Sequence, residues 1–280
     1  MPGIDRITAR HVARQESKPK KSRKFTSDGG IVLGNYVESA LRKNLPFSFK
    51  SRGGYFAISS IGNGARQLCL SYQGFSEGDA DLQAVRYMNN GTAGHTRWEG
   101  WLKRAKLLIS SEQSVRLPEL NIIGKYDFII AHPTAKKILI ELKTAGLKKV
   151  SFLKQPDDDH IAQWAAYSHL VQVSNGMIVY EERDSLTPIY FPLTLEDGDL
   201  TLYDINGRKI SFHENYTKDL FDKVAFAIWC ADNDSFPAEE CGPCQKWGCK
   251  MPINCPKSVK EKNLVGFEEW RARPGSDVGL

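Results

Sequence analysis

The apolar and polar positions of the chain alternate with two different periods. Leu102, Ala105, Leu108 and Ile109 recur at helical spacing and predict a helix over 95–110. From Val115 to Ala131 β-branched and aromatic residues dominate, centred on 121–130, which predicts one or two strands. The segment His132-Pro133-Thr134-Ala135 reads as a turn and Ile138–Thr144 as a second strand, so 121–144 is expected to form a hairpin. Pro156 followed by Asp157, Asp158 and Asp159 marks a helix start, because acids in a first turn complement the positive end of the helix dipole; that helix should run to about Val171. A strand at 177–182, a strand pair 188–195 and 199–204 across Asp197-Gly198, and a helix at 216–231 complete the pattern. Helices interrupting a sheet point to an α/β or α+β fold.

Residues 1–30 break this pattern. They are polar and basic, end in Ser27-Asp28-Gly29-Gly30, and read as a disordered tail and linker before a compact body starting near Ile31. The 280-residue chain is 41% hydrophobic and 25% charged, a globular composition that supports one large domain or a domain with an appendage. Its apolar runs fall short of the ~18–20 residues that cross a bilayer, and 1–24 lacks an apolar signal-peptide segment. A cytoplasmic protein without a membrane partner is therefore expected. The Arg-rich, acid-poor tail leaves a mitochondrial address open, and Lys18-Pro19-Lys20-Lys21-Ser22-Arg23-Lys24 leaves a nuclear one open, a solvated arm being the simpler reading.

The net charge of +5 is unevenly placed. Residues 1–24 carry eight Lys/Arg against two Asp/Glu, 97–154 twelve against five, and 155–240 five against 17. The basic stretch 97–154 suggests a polyanionic partner.

The same stretch holds residues suited to chemistry. Glu141 and Lys143 alternate onto one face of their strand. Alone such a pair is a surface ion pair; Glu16-Ser17-Lys18 in the tail has the same spacing. Asp127 on the preceding strand changes this, since a hairpin brings it beside Glu141, and two converging carboxylates repel unless a cation neutralises them. A few oxygen ligands plus water is the usual way of holding Mg²⁺ in phosphoryl-transfer sites. Upstream, His95 and Glu99 share a helix face, as do Gln163 and Tyr167 downstream. Trp98, Trp101 and Trp164 are read as core residues, with base stacking the alternative.

In chain order these residues form G-x3-H-x3-E (Gly91, His95, Glu99), G-x-x-D (Gly124, Asp127), E-x-K (Glu141, Lys143) and Q-x3-Y (Gln163, Tyr167). The constellation resembles the PD-(D/E)XK nuclease superfamily, most closely its RecB-like branch, which includes the nuclease domains of RecB and AddB, the Cas4 proteins and many phage exonucleases. The resemblance implies a restriction-endonuclease-like core, a mixed central β-sheet flanked by helices, over 31–235, followed by a cysteine-rich metal-binding segment over 236–280. It implies a Mg²⁺- or Mn²⁺-dependent DNA exonuclease processing ends in recombination, replication or repair, alongside a recombination or replication protein. The alternatives are a Cas4-like nuclease of CRISPR spacer acquisition or a flap endonuclease, and a catalytically inactive DNA-binding protein on the same fold. By the resemblance, Asp127 and Glu141 are acidic metal ligands, His95 an additional ligand and the Leu142 carbonyl the last. Lys143 positions or activates the attacking water, and Gln163 and Tyr167 contact DNA or brace the site. Glu99 is read as a partner of His95, and Glu112 as a surface residue. Lys148, Lys149 and Lys154 after the E-x-K strand, with Lys103 and Arg104 on the helix, are the candidate DNA-binding residues.

The segment 59–68 also resembles the N-terminal motif of these nucleases, but Gly64 and Ala65 stand before Arg66 where iron–sulfur members carry a cysteine. Of the six cysteines, Cys241, Cys244, Cys249 and Cys255 have metal-ligand spacing and could close a tetrahedral Zn²⁺ site. The resemblance supplies a competing reading, a [4Fe–4S] cluster held by Cys69 and three of those four. Cys230 lies in an apolar helix and reads as a core residue.

Overall fold

The computed structural model describes residues 38–41, 53–75, 82–239, 255 and 263–276. The chain divides into two compact units, Met1–Pro46 and Phe47–Leu280. In the first, residues 38–41 are helical; everything below concerns the second.

Its described elements run β1 (Phe56–Ala57), a 3-10 turn (Ile58–Ser60), α1 (Ala65–Tyr72), α2 (Leu82–Arg104), β2 (Leu108–Ser111), β3 (Ser114–Leu117), β4 (Ile122–Lys125), β5 (Phe128–His132), β6 (Lys136–Ala145), α3 (Leu147–Phe152), α4 (Asp158–Val171), β7 (Asn175–Glu182), β8 (Pro188–Glu196), β9 (Asp199–Tyr203), β10 (Lys209–Ser211), α5 (Tyr216–Asp232), β11 (Ser235–Pro237), β12 (Asn263–Val265) and α6 (Phe267–Arg271). The mixed sheet flanked by helices expected from the sequence is present. Seven strands lie in the order β10-β9-β8-β7-β6-β5-β2. Within this sheet, among the described residues, only β6 and β7 pair in parallel, so their connection must cross over the sheet, and α3 and α4 make that crossing.

Period-two alternation splits the sheet residues between two cores. Ile140, Leu142 and Val179 point to one face, where they pack with Phe128 under Trp98 and Leu102 of α2. Leu139, Ile178 and Tyr180 point to the other, under α4 and α5 with Trp164, Phe221 and Phe226. Each fully buried side chain of this size contributes roughly 1.5–3 kcal/mol. A small sheet, β1-β4-β3, lies beside the main one.

Several elements differ from the sequence reading. The helix expected over 95–110 begins at Leu82 and stops at Arg104. Its first half is masked in the sequence by Asn89, Asn90 and Gly91. Its end lacks the usual glycine: Lys106 takes the left-handed conformation itself, at φ 57°, and Leu107 N–H closes back on the Leu102 carbonyl at 3.0 Å. Leu108 and Ile109, at helical spacing from Leu102, therefore lie in a strand. The strand region 115–131 contains three strands, interrupted by a turn at Pro118–Leu120 and by left-handed Asn121. The hairpin expected over 121–144 is made by β5 and β6 alone, with Phe128 opposite Ile140 and His132 opposite Lys136; Ile122–Lys125 pairs in the smaller sheet, and Asp127, expected on the strand, lies in the bend between. The β8–β9 turn is built on Asp197 and Gly198, both at positive φ.

The C-terminal residues return to the same body. β11 and β12 pair in parallel, Ser235 beside Asn263 and Pro237 beside Val265, so the strands that flank 238–262 in the sequence lie together. Val265 and Trp270 join the main core, Trp270 packing on Phe226 at a centroid distance of 5.5 Å. Buried Arg66 donates to the carbonyls of Pro237 (2.8 Å) and Ala238 (2.5 Å), clamping α1 to the start of that segment.

Candidate active site

The site forms where the β5–β6 ladder opens. Phe128 pairs with Ile140, but one step further on β6 the Leu142 N–H meets a side chain instead of a strand: it donates to Asp127 Oδ2 at 2.6 Å. The Leu142 carbonyl, released in the same way, lies 3.3 Å from His95 Nε2. A backbone oxygen thus faces the site because backbone groups there have lost their strand partner and must be satisfied otherwise.

His95 comes from α2, on the opposite side of this opening. Its Nδ1 lies 3.4 Å from Asp127 Oδ1 and 3.3 Å from Glu112 Oε1. Three contacts fix α2 there. Gly94 leaves no room for a side chain, since a Cβ would sit 2.9 Å from Thr144 Cγ2 of β6. Trp98 donates its indole N–H to the buried Glu181 of β7 at 2.7 Å, and Arg97 forms an ion pair with the same carboxylate, so that buried charge is matched.

Glu141 is 2% exposed and Asp127 6% exposed. Burial, and next the charge of Glu141, push the Asp127 carboxyl well above the usual carboxylate range, against the opposing Leu142 N–H and the Lys143 ammonium. Lys143 reaches back over Glu141 at 2.8 Å and donates to Gln163 Oε1 at 2.8 Å. Burial alone would lower its affinity for a proton, but the charge of Glu141, its hydrogen bond, and the charges of Asp127 and Asp159 together raise it. Lys143 is therefore an ammonium at neutral pH.

The Q-x3-Y residues sit on buried α4. Gln163 receives Lys143, and Tyr167 donates to the Lys125 carbonyl at 2.6 Å, bracing β4 just before Asp127. Gly124 makes this possible: a Cβ there would lie 2.7 Å from Tyr167 Oη and 2.9 Å from Ile58. Gly124-Lys125-Tyr126-Asp127 is thus one unit of glycine approach and carboxylate delivery.

The structure brings His95, Asp127, the Leu142 carbonyl, Glu141, Lys143, Gln163 and Tyr167 to one place. Two acidic residues depart from the sequence reading. Glu99 does not support His95; it accepts from Ser111 Oγ at 2.7 Å and pairs with Lys103 at 2.7 Å. Glu112, read as a surface residue, stands in the cluster: ligand atoms of His95, Glu112 and Asp127 lie within 4.8 Å of one another. It occupies a left-handed position, φ 52°, between two four-residue strands, where no periodicity signals it. A cleft of about 590 Å³, lined by Gly91, Thr92, His95, Glu99, Glu112 and Asp127 among others, opens onto this cluster.

The flanking basic residues divide. Lys149 pairs with Asp157 and lies 5.5 Å over the Tyr180 ring, so it holds α3 to the body, and Lys103 is committed to Glu99. Lys148, Lys154 and Arg104 are exposed. Asp157, Asp159 and His160 form a second polar group, but Lys149 supplies its positive charge and His160 Nδ1 contacts Tyr180 Oη at 2.5 Å. Burial, and then Lys143, push that imidazole down to about 3. Of the tryptophans expected in the core, Trp98 and Trp164 are buried, whereas Trp101 is half exposed beside Arg97.

Of the candidate cluster ligands, Cys69 and Cys255 are buried in the main core; Cys241, Cys244 and Cys249 lie outside the described residues. Cys230 is a core residue, its thiol pushed up to about 12 by burial and then by neighbouring Cys69. Among the described residues no helix is long and apolar enough to cross a membrane.

No family model and no curated protein sequence matches the chain. Solved structures to which it is similar include SSO0001, at 17% identity and TM-score 0.43, covering 81% of this chain and 93% of that one. They also include an alkaline exonuclease (LHK-Exo) from Laribacter hongkongensis, at 11% identity and TM-score 0.43 over 65% of this chain and 90% of that one. The complex of LHK-Exo with dAMP gives 11% identity and TM-score 0.42 over 64% and 89%.

Proposed function

We propose that this chain is a divalent-metal-dependent deoxyribonuclease, an exonuclease acting at DNA ends in recombination, replication or repair. One observation carries the reading: two buried carboxylates, an imidazole and a released backbone carbonyl converge beside an ammonium fixed on the same strand. The donor set fits Mg²⁺ or Mn²⁺. It is oxygen-rich with a single imidazole nitrogen, and the repulsion between Asp127 and Glu141 is the kind a divalent cation relieves. Asp127, Glu141, His95, the Leu142 carbonyl and, beyond the sequence reading, Glu112 are the residues that would hold the ion. When bound, such an ion stabilises charge on the phosphoryl oxygens and acidifies a water.

The chain's own groups supply orientation. Asp127 is held against rotation by Leu142 N–H, and Glu141 by Lys143. The Lys143 ammonium has three N–H donors; Glu141 and Gln163 receive two, which leaves a third that would hold a water or a phosphate oxygen. Tyr167, through Lys125, fixes the strand that delivers Asp127. Lys148, Lys154 and Arg104 offer exposed positive charge to the phosphate backbone. For the thiols the reading is a [4Fe–4S] cluster on Cys69 and C-terminal cysteines, with Zn²⁺ on Cys241, Cys244, Cys249 and Cys255 the alternative. Its support is that Cys69 and Cys255 are both buried in the main core and that β11 and β12, which flank 238–262, pair with each other.

The test is a comparison of substrates with Mg²⁺ or Mn²⁺ present. End-labelled linear DNA should release short products while covalently closed circular DNA stays intact. Cleavage of the circle would replace exonuclease by endonuclease action, and inertness toward both would remove the nuclease reading. Anaerobic purification decides the cysteine site: brown protein with iron and sulfide, or colourless protein with one zinc.

A further inference from the structure

The short helix α3 follows β6 directly, after Gly146, and so stands at the exit of the strand that carries Glu141 and Lys143. None of its residues is buried. Its inner side is nonetheless anchored: Val150 packs against the main core, and Lys149 is fixed by Asp157 and the Tyr180 ring. With that side tied down, its outer side is a built surface rather than a frayed turn.

That outer side carries Phe152, 78% exposed, and Lys148 one helical turn before it. A phenylalanine this exposed forgoes its burial energy, and here it does so beside an exposed ammonium, in the basic stretch 97–154. The backbone contour from Lys143 to Phe152 is about 20 Å, a few nucleotides of an extended strand. Exposed Met88 of α2 lines the cleft, with Gly91 and Gly94 of the same helix against Thr144 of β6. A polyanion with flat apolar bases fits this combination, whereas a duplex keeps its bases stacked away from such a surface.

We propose that Phe152 and Lys148 form a stacking step for the substrate strand, Phe152 taking the face of an unpaired base and Lys148 the adjoining phosphate. The strand is then single-stranded for the first nucleotides beyond the cleft. This rests on the nuclease reading and adds the form of the substrate.

The experiment measures binding of the full chain, in EDTA so that metal-dependent cleavage is silent, to three labelled ligands: a single-stranded thymidine oligonucleotide, an abasic oligonucleotide of the same length, and a blunt duplex. Base–aromatic stacking contributes ~1–3 kcal/mol per base, so Phe152→Ala should weaken thymidine-oligonucleotide binding roughly 5- to 150-fold. The abasic strand should be unaffected, and Phe152→Trp should restore binding. Lys148→Ala should weaken both single strands alike and flatten the salt dependence. Equal thymidine-oligonucleotide affinity in the parent and Phe152→Ala, or equal losses on abasic and thymidine strands, would overturn the stacking step while leaving the nuclease reading intact. A parent that neither binds nor cleaves DNA removes both.

Discussion

Replacing Asp127 by Asn should make the metal-free protein more stable while disabling it. Asparagine keeps the acceptor for Leu142 N–H and offers an N–H toward His95 Nδ1, so the 2.6 Å and 3.4 Å contacts survive. What disappears is a buried negative charge beside Glu141. Because burial and Glu141 raise the folded carboxyl above its ordinary value of 3.8, the unfolded chain ionises first as pH rises. The contribution of Asp127 to stability is therefore fully present below about pH 4 and is lost as pH rises through the folded-state value. Relieving a buried charge that lacks full compensation is worth on the order of 1–3 kcal/mol, so a gain of about that size is expected for the variant in EDTA at neutral pH. At ~2–4 °C per kcal/mol for a body of this size, the melting temperature should rise by roughly 2–12 °C. Divalent cation should reverse the ranking: at about 100-fold over its dissociation constant it adds ~2.7 kcal/mol to the parent, and little to the variant. Thermal melts with EDTA and with Mn²⁺, between pH 4 and 8, measure both. A variant less stable than the parent in EDTA, or one equally stabilised by Mn²⁺, would refute the view that Asp127 and Glu141 are held together for a cation.

Other consequences can be checked more simply. Lys143→Ala should lower single-turnover DNA cleavage by ~10²–10⁴-fold with substrate affinity nearly unchanged, because it removes a positioned donor. Gly124→Ala forces a methyl group to 2.7 Å from Tyr167 Oη and 2.9 Å from Ile58, so denaturant titration should show a loss of about 1–3 kcal/mol; Tyr167→Phe in the same background should recover part of it. Arg66→Ala leaves the Pro237 and Ala238 carbonyls without their buried donor and should cost about 2–4 kcal/mol by denaturant titration, with increased proteolysis after Pro237. Glu112→Gln should weaken Mn²⁺ binding, read by calorimetry, whereas Glu99→Gln should not.

The parts of the fold that the sequence reveals are those where one local rule suffices. β6 alternates, α4 opens with three acids, and β8–β9 turn on Asp197-Gly198, so each lies within a few residues of its expected place. Of the residues brought together at the candidate site, His95, Glu141, Lys143, Gln163 and Tyr167 fall on one strand and two helices, where spacing in the sequence groups them, whereas Asp127 sits in the bend between β4 and β5. What escaped depends on contacts distant in sequence. The first half of α2 is polar because it borders the cleft, and its end is set by a left-handed lysine. Glu112 reaches the site only because β2 and β3 fold it there in a left-handed turn. The pairing of Lys149 with Asp157 is not legible either, because in the sequence Asp157 reads only as a helix-start acid. Arg66 gave a hint through its motif, but that it clamps Pro237 and Ala238 needs the tertiary structure.

The central claim is that Asp127, Glu141 and Lys143 act together on DNA with a divalent metal. Single-turnover cleavage of end-labelled single-stranded DNA, by the parent and by Glu141→Gln, tests it most directly. Mg²⁺ or Mn²⁺ should switch on cleavage by the parent, EDTA should abolish it, and Glu141→Gln should stay silent in either metal while keeping its fold by circular dichroism. Cleavage by Glu141→Gln at the parental rate, or parental cleavage undiminished by EDTA, would contradict the account.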